Sequence, residues 1–362
     1  MGTGLLGGAV RFAYPGYEGW IRNDVDALWT ARASTLQLPQ LEAQPLARTP
    51  HRTITAVESA RQHALDRYHV VDTPSESVYD DLVRIAAHLC GTPIALLSLI
   101  DRDRQWFKAR LGLAENETPR NVAVCAHAIL APGELMEVSD LARDPRFSAF
   151  PIVIGEVRAR FYASVPLTTE DGQAIGTLCV VDRQPRSLEP AQRDWLESLG
   201  RIAMGLLNGH ARRYQDEVRV ALDMPRERAP QPQPEPEAKE NYRIAILEVE
   251  RYATAVEREG ERTVEKMMQA LESRLEGCLD LEAGDRINRV SASAEFVVVL
   301  MGDAGEARLD ALRGVAKDTQ DGFSVLLGSA VSRDGEEALG EVFLRADSDL
   351  SLRKDEAGAT PA

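Results

Sequence analysis

The sequence predicts a two-domain chain that combines the α+β and α/β classes. The expected order is an antiparallel sheet with flanking helices, then an α/β domain, joined by a long helix and a proline-rich linker. Three observations predict it. Residues 94–111 and 161–182 each read as two apolar runs separated by a turn, the pattern of antiparallel hairpins. Residues 241–354 alternate strand-like apolar runs with stretches of helical period, the pattern of an α/β layer. Between them an apolar stripe runs at helical spacing from Trp195 to Leu222, and PRERAPQPQPEPEAKE follows at 225–240.

Residues 1–55 form an arm of mixed character, with Phe12, Tyr14, Tyr17, Trp20 and Trp29 set among glycine and proline. A short helix is expected near 22–33, and the arm either docks on a surface or stays mobile. The first folded unit spans 56–210. One helix carries Val57 through Tyr68. A second follows Thr73-Pro74-Ser75 with Tyr79, Leu82, Ile85, Ala86 and Leu89 at helical spacing, and Gly91-Thr92-Pro93 ends it. IALLSLID and RQWFKARLGL then read as a hairpin. RFYASVPLTTEDGQAIGTLCVVD reads as a second, turning at Glu170-Asp171-Gly172.

The closing helix carries Trp195, Leu199, Ile202 and Leu206. Residues 211–240 extend it and then form the linker. Tyr214, Val218 and Leu222 continue the stripe past the unit, so they must bury against something else. A second copy of the helix is the simplest partner, giving a homodimer through residues 190–222; folding back on the chain's own domain is the alternative. The second unit spans 241–356, with a tail at 357–362. YRIAILEVERY opens it as a strand, and a helix with Val264, Met267, Met268, Leu271 and Leu275 follows. The strand FVVVL, a helix near 305–318, the strand FSVLLGSAV and a helix near 336–353 complete it.

Composition limits the function. The net charge is −15, and residues 241–362 hold 25 acidic against 15 basic residues. Such a surface repels nucleic acid, whose binding requires Lys and Arg to neutralise phosphates. No window of 18 apolar residues occurs, so no membrane span is expected. The start has no early basic region and a short, glycine-rich apolar stretch, so no secretory signal is expected and a cytoplasmic location follows. Cys90, Cys125, Cys179 and Cys278 form no C-x-x-C pair, which argues against a zinc cage and for buried, reduced thiols.

Four phrases stand in order over about 60–210: LDRYHVVDTPSESVYDDLVRIAAHLCGTPIALLSLIDRDRQWFKARLGL, ETPRNVAVCAHAIL, VSDLARDPRFSAFPIVIG and RFYASVPLTTEDGQAIGTLCVVDRQPRSL. This run resembles a bacterial GAF domain. The resemblance implies a sensor with a pocket between a central antiparallel sheet and its connecting segments. Trp106, Phe107, Cys125, His127, Phe161 and Tyr162 are the implied pocket residues, for an unidentified small molecule and no cofactor. Each has a plainer reading: Trp106 and Phe107 as core, His127 as a hydrogen-bonded core residue. Cys125 as a bilin attachment point, or Cys125 with Cys179 in methionine sulfoxide reduction, are weaker alternatives. Asp140, Asp144, Arg146 and Asp182 read as loop caps.

The stretch RVSASAEFVVVL at 289–300 has the form of a hairpin turn between two apolar runs. It resembles the signature turn of GGDEF domains, the diguanylate cyclases. That chemistry uses carboxylates to hold divalent metals that align phosphates. The resemblance puts Glu248 at the first metal aspartate, Val256 at the guanine-binding asparagine, and Ala294 at the aspartate of the turn. Ala253 stands in place of a lysine and Glu265 in place of a later aspartate. Glu282 replaces the arginine of the inhibitory site, whose Asp285 is kept. The turn reads Ala292-Ser293-Ala294-Glu295-Phe296, without the glycines that let a backbone approach a nucleotide. A degenerate, non-enzymatic cyclase fold is therefore expected, relaying the state of the sensor to a possible protein partner. The alternatives are an assembly component that uses both domains for protein contacts, and a diguanylate cyclase with a divergent site.

Overall fold

The computed structural model describes residues 51–223, 241–290, 293–318 and 322–358. Most of the expected arm with its helix near 22–33, the proline-rich linker, Ser291 and Ala292 of the turn, and the end of the tail lie outside the described residues. The chain divides into two compact units, Met1–Arg61 and Gln62–Ala362. The described part of the first unit is the start of helix α1 (His51–Asp66); both sheets belong to the second unit.

After α1 come α2 (Ser77–Cys90), β1 (Ile94–Ile100), β2 (Arg104–Leu111) and β3 (Glu117–Pro119). Short α3 (Cys125–Ala128), β4 (Met136–Val138) and short α4 (Pro151–Ile154) lead to β5 (Phe161–Thr168) and β6 (Ala174–Asp182). The six strands form one sheet in the order β3-β2-β1-β6-β5-β4, every neighbour antiparallel. Gly91 ends α2 in the left-handed region, φ 63°, where its amide caps carbonyls of the last turn. The expected loop caps are present: Asp140, Asp144 and Asp182 accept from the backbone N–H groups of Ala142, Arg146 and Gln184.

Successive residues of a strand point to opposite faces, and both faces of this sheet are covered. On one, Leu97, Leu99, Trp106, Phe161 and Leu178 pack with Tyr79, Leu82 and Ala86 of α2. Leu196, Leu199, Ala203 and Leu207 of the long helix α5 (Pro190–Asp223) complete that core. On the other, Leu96, Phe107, Tyr162 and Cys179 pack with Cys125 and Phe147. The helical phases differ from the sequence reading. Ile85, Trp195 and Ile202 are exposed, because Val83, Leu196 and Ala203 take the inward positions.

The second domain contains β7 (Tyr242–Val249), α6 (Tyr252–Glu259), α7 (Glu261–Glu276), β8 (Arg286–Val290) and β9 (Glu295–Met301). It ends with α8 (Gly305–Lys317), β10 (Val325–Val331) and α9 (Leu339–Gly358). Its sheet has the order β10-β7-β9-β8 and is antiparallel throughout. The expected hairpin at 289–300 is β8–β9, with Val290 opposite Glu295. One face, with Leu247, Phe296 and Val298, is covered by Val264, Met268 and Leu271 of α7 and Leu309 and Leu312 of α8.

The other face, with Ile244, Ile246, Val297 and Val299, is covered by Val342, Phe343, Ala346 and Leu350 of α9. It is also covered by Tyr214, Val218 and Leu222 of α5. This corrects the expectation for the stripe at 214–222: the chain's own second sheet buries it, so it is not free to meet a second copy. Packing of β10 on α9 is close enough that a Cβ on Gly328 would stand 2.4 Å from the backbone nitrogen of Leu350 and 2.5 Å from the carbonyl oxygen of Ala346.

Candidate functional site at the β7–β9 edge

Pairing of β7 with β9 sets Glu248 opposite Glu295 at the start of β9, directly after Ser293 and Ala294. Two carboxylates side by side and out of water repel each other unless cations or donors meet them. Each is met by a different partner. Lys354 of α9 lies 2.5 Å from Glu248. One carboxylate oxygen of Glu295 lies 3.0 Å from Nδ1 of His69, and the other accepts from the Tyr214 hydroxyl.

Tyr214 and His69 also stack, ring centroids 3.7 Å apart at 9°. Asp347 faces the other ring nitrogen at 3.9 Å, and the backbone carbonyl of His69 lies 3.2 Å from Nε2 of His210. His69 belongs to the turn that follows α1 and has φ 47°. Tyr214 belongs to the extension of α5 beyond the first core.

The electrostatics follow from burial and pairing. Burial pushes the His69 imidazole towards neutrality, but the adjacent Glu295 carboxylate outweighs it and holds the pKa above the ordinary value. Burial raises Glu295, while the charge and hydrogen bond of His69 bring it below the usual carboxylate range. Burial dominates at Glu248: despite Lys354, its pKa is pushed up to about 7, with Glu295 adding to the rise. Burial also raises Asp347.

A second set of ion pairs flanks this one. Asp72 takes two hydrogen bonds from Arg104 of β2, at 2.6 and 3.2 Å, and one from the backbone N–H of Arg251 at 3.0 Å. Arg104 reaches Glu117 at 2.8 Å, and Arg251 reaches the same carboxylate at 2.6 Å. Asp66 accepts from Arg102 at 2.8 Å and from the Ser351 hydroxyl at 2.5 Å. Arg102 reaches Asp355 at 2.8 Å. A cavity of about 250 Å³ remains among these groups, bordered by Asp66, His69, Arg104, Glu248, Ser293 and Lys354.

The residues that the resemblance sets at the cyclase positions are placed as follows. Ala294 is buried and offers no ligand atom, and Val256 packs on the core of the second domain. Glu265 is bonded to Arg289 at 3.0 Å. Glu248 and Glu295 are bonded to Lys354 and to His69 with Tyr214 respectively. Among the described residues no group of three or more His, Cys, Asp or Glu is arranged to hold a metal ion. Sequence reasoning missed His69, Asp66 and Asp72. The one available signal was the close spacing of Asp66, His69 and Asp72 in DRYHVVD ahead of the second helix.

The six expected pocket residues divide. Trp106 and Phe161 lie in the core beneath α2 and α5, whereas Phe107, Cys125 and Tyr162 lie in the core on the opposite face. They cannot border one cavity, because neighbours in a strand alternate. Trp106 also lies directly before Phe107, as Phe161 does before Tyr162, so the split follows from the pleat. His127 is half-buried at the edge, its ring edge-on to Phe147 at 5.0 Å. On the far face Tyr162 donates to the Cys125 sulfur at 3.2 Å, and Cys125 and Cys179 lie 3.8 Å apart, sulfur to sulfur.

Residues 74–206 match the GAF domain family. Over 153 residues the chain is 42% identical to a cyclic di-GMP phosphodiesterase of Pseudomonas aeruginosa. That match covers 42% of this chain and 26% of the relative, so the chain spans about a quarter of the relative's length. Among solved structures, the GAF domain of an Acinetobacter phosphoenolpyruvate-protein phosphotransferase aligns at 15% identity with TM-score 0.33, covering 43% of this chain and 96% of that one. The GGDEF domain of DgcB from Caulobacter crescentus, in complex with c-di-GMP, aligns at 16% identity with TM-score 0.28, covering 32% and 73%. No helix among the described residues is long and apolar enough to cross a membrane.

Proposed function

We propose that this chain is a non-enzymatic bacterial signalling protein of the cyclic di-GMP field. In this reading a GAF domain senses a ligand or partner, and a degenerate GGDEF-like domain relays its state without turnover. The observation that carries it is the engagement of Glu295. The acidic residue kept in the turn is buried and bonded to His69 and Tyr214, which lie on the segments just before and just after the GAF domain. The position serves attachment to the sensor in place of metal binding. Hydrolytic activity is not carried over from the phosphodiesterase, whose match spans 26% of its length.

Purified full chain incubated with GTP and Mg²⁺ tests this reading. The expected result is no cyclic di-GMP. Product formed at a turnover of about 1 s⁻¹ or more, typical of enzymes, overturns it and favours a divergent cyclase.

A second reading, an assembly component, is favoured by the far face of the GAF sheet, where Phe107, Cys125, Tyr162 and Cys179 pack against one another. Native mass spectrometry separates the two: a retained small molecule supports sensing, and bare protein supports assembly. For the homodimer we propose a different face of α5. Trp195 and Ile202 are exposed there, and α2, packed beside it, exposes Val78 and Ile85. Sedimentation of Trp195→Arg is expected to give monomers, and an unchanged dimer removes that seam.

A further inference from the structure

From the geometry of the far face of the first sheet, we infer that Cys125 and Cys179 form a reversible disulfide when the chain meets a hydroperoxide. Cys125 begins α3 and Cys179 lies in β6, and their sulfurs are 3.8 Å apart. A disulfide needs about 2.05 Å, so the sulfurs must close by less than the length of one side chain. Cys125 stands at the start of a single helical turn that follows a short 3-10 turn. Both residues are buried, and the other two cysteines are elsewhere: Cys90 in the core beneath α2 and Cys278 beside the second sheet.

The surroundings are polar for a core. Ser98, Ser164 and Thr177 point to this face beside Cys179, in register across β1, β6 and β5. All three hydroxyl side chains are buried, and Gln105, also buried, brings its amide nitrogen to 3.2 Å from Ser98. Buried polar atoms of this kind are compatible with a polar reactant beside the two sulfurs. Hydrogen peroxide, the smallest hydroperoxide, can both donate to and accept from such groups.

Cys125 is the attacking sulfur. Tyr162 donates to it at 3.2 Å, and its neighbours bring its pKa down to about 7 against the effect of burial, so a thiolate is available near neutrality. Cys179 is held as the thiol, its pKa raised by the hydrogen bond with Cys125 and by burial. In the first step the Cys125 thiolate attacks a peroxide oxygen. The O–O bond breaks, Cys125 becomes a sulfenic acid, and the departing alkoxide or hydroxide takes up a proton. In the second step the Cys179 sulfur attacks that of Cys125. The S–S bond forms, the S–O bond breaks, and water leaves with the Cys179 proton. The two thiols lose two electrons and the peroxide gains them. A dithiol restores the starting state.

The test treats the folded full chain with hydrogen peroxide, then alkylates free thiols and maps peptides by mass spectrometry. The expected result is loss of the mass of two hydrogen atoms, a linked pair of peptides carrying Cys125 and Cys179, and reversal by dithiothreitol. The double variant C90S/C278S keeps the change, and C125S or C179S abolishes it. No mass loss, stable sulfinic acid at Cys125, a linkage through Cys90 or Cys278, or a linkage formed only in denaturant overturns the inference.

Discussion

His69 and Glu295 stand 226 positions apart and meet at 3.0 Å, ring nitrogen to carboxylate, with 7% and 3% of their side chains exposed. The pair joins the segment just ahead of the GAF-matching residues 74–206 to the start of β9 in the second domain. Removing one partner of a buried pair strands the other, at about 3–5 kcal/mol. Glu295→Ala is expected to lose that much stability, read as the shift in a urea unfolding midpoint. The cycle of His69→Ala, Glu295→Ala and the double variant should show strong coupling. Independent effects would mean the two residues do not meet in solution.

Stability should peak on the acid side of neutrality. His69 has a raised pKa in the fold, so its contribution is complete below its unfolded value of 6.5 and is lost as pH rises through the higher folded value. Glu248 acts in the same direction: its folded value of about 7 lies above 4.5, so its contribution fades as pH rises from 4.5 through about 7. Glu295 acts oppositely, with a depressed pKa and a contribution lost as pH falls below 4.5. Melting temperatures across this range should fall on both sides of the maximum. Glu248→Gln should reduce the loss between pH 4.5 and about 7, and a slope in that range unchanged by the substitution refutes the assignment.

Asp72 fixes the backbone where β7 passes into α6, accepting from the N–H of Arg251 with its side chain and from that of Ala253 with its carbonyl, at 3.0 and 3.2 Å. Asp72→Ala is expected to speed amide hydrogen exchange at Arg251 while the centre of β7 stays protected. Equal protection in variant and parent would show that the contact does not form.

Gly328→Ala tests the closeness of β10 and α9. The added methyl meets backbone atoms of Ala346 and Leu350, which cannot turn aside as a side chain can. Overpacking of this kind costs about 1–3 kcal/mol. A variant as stable as the parent, by thermal unfolding, would place the helix further from the strand.

Much of the fold was legible because apolar spacing is local. IALLSLI and the VVVL of β9 are fully buried strands, and the β8–β9 hairpin was visible in RVSASAEFVVVL. Helical phase was less legible: a stripe through Trp195 and Ile202 looks as regular as the true one through Leu196 and Ala203. The implied pocket residues divide between two faces because the pleat separates adjacent aromatics. The candidate site was half legible. Glu248 and Glu295 could be named, but their partners His69, Tyr214 and Lys354 come from three distant elements, and charge pairing at such separations leaves no periodic trace. The destination of Tyr214, Val218 and Leu222 depended on a surface that their own segment does not specify.

Helix α5 belongs to two cores at once. Leu196 to Leu207 fill the first and Tyr214 to Leu222 seal the second, about 39 Å from end to end at 1.5 Å per residue. Neither core can lose this helix without exposing apolar surface of the other. Heating should therefore produce one calorimetric transition, and cleavage within α5 should weaken both halves together.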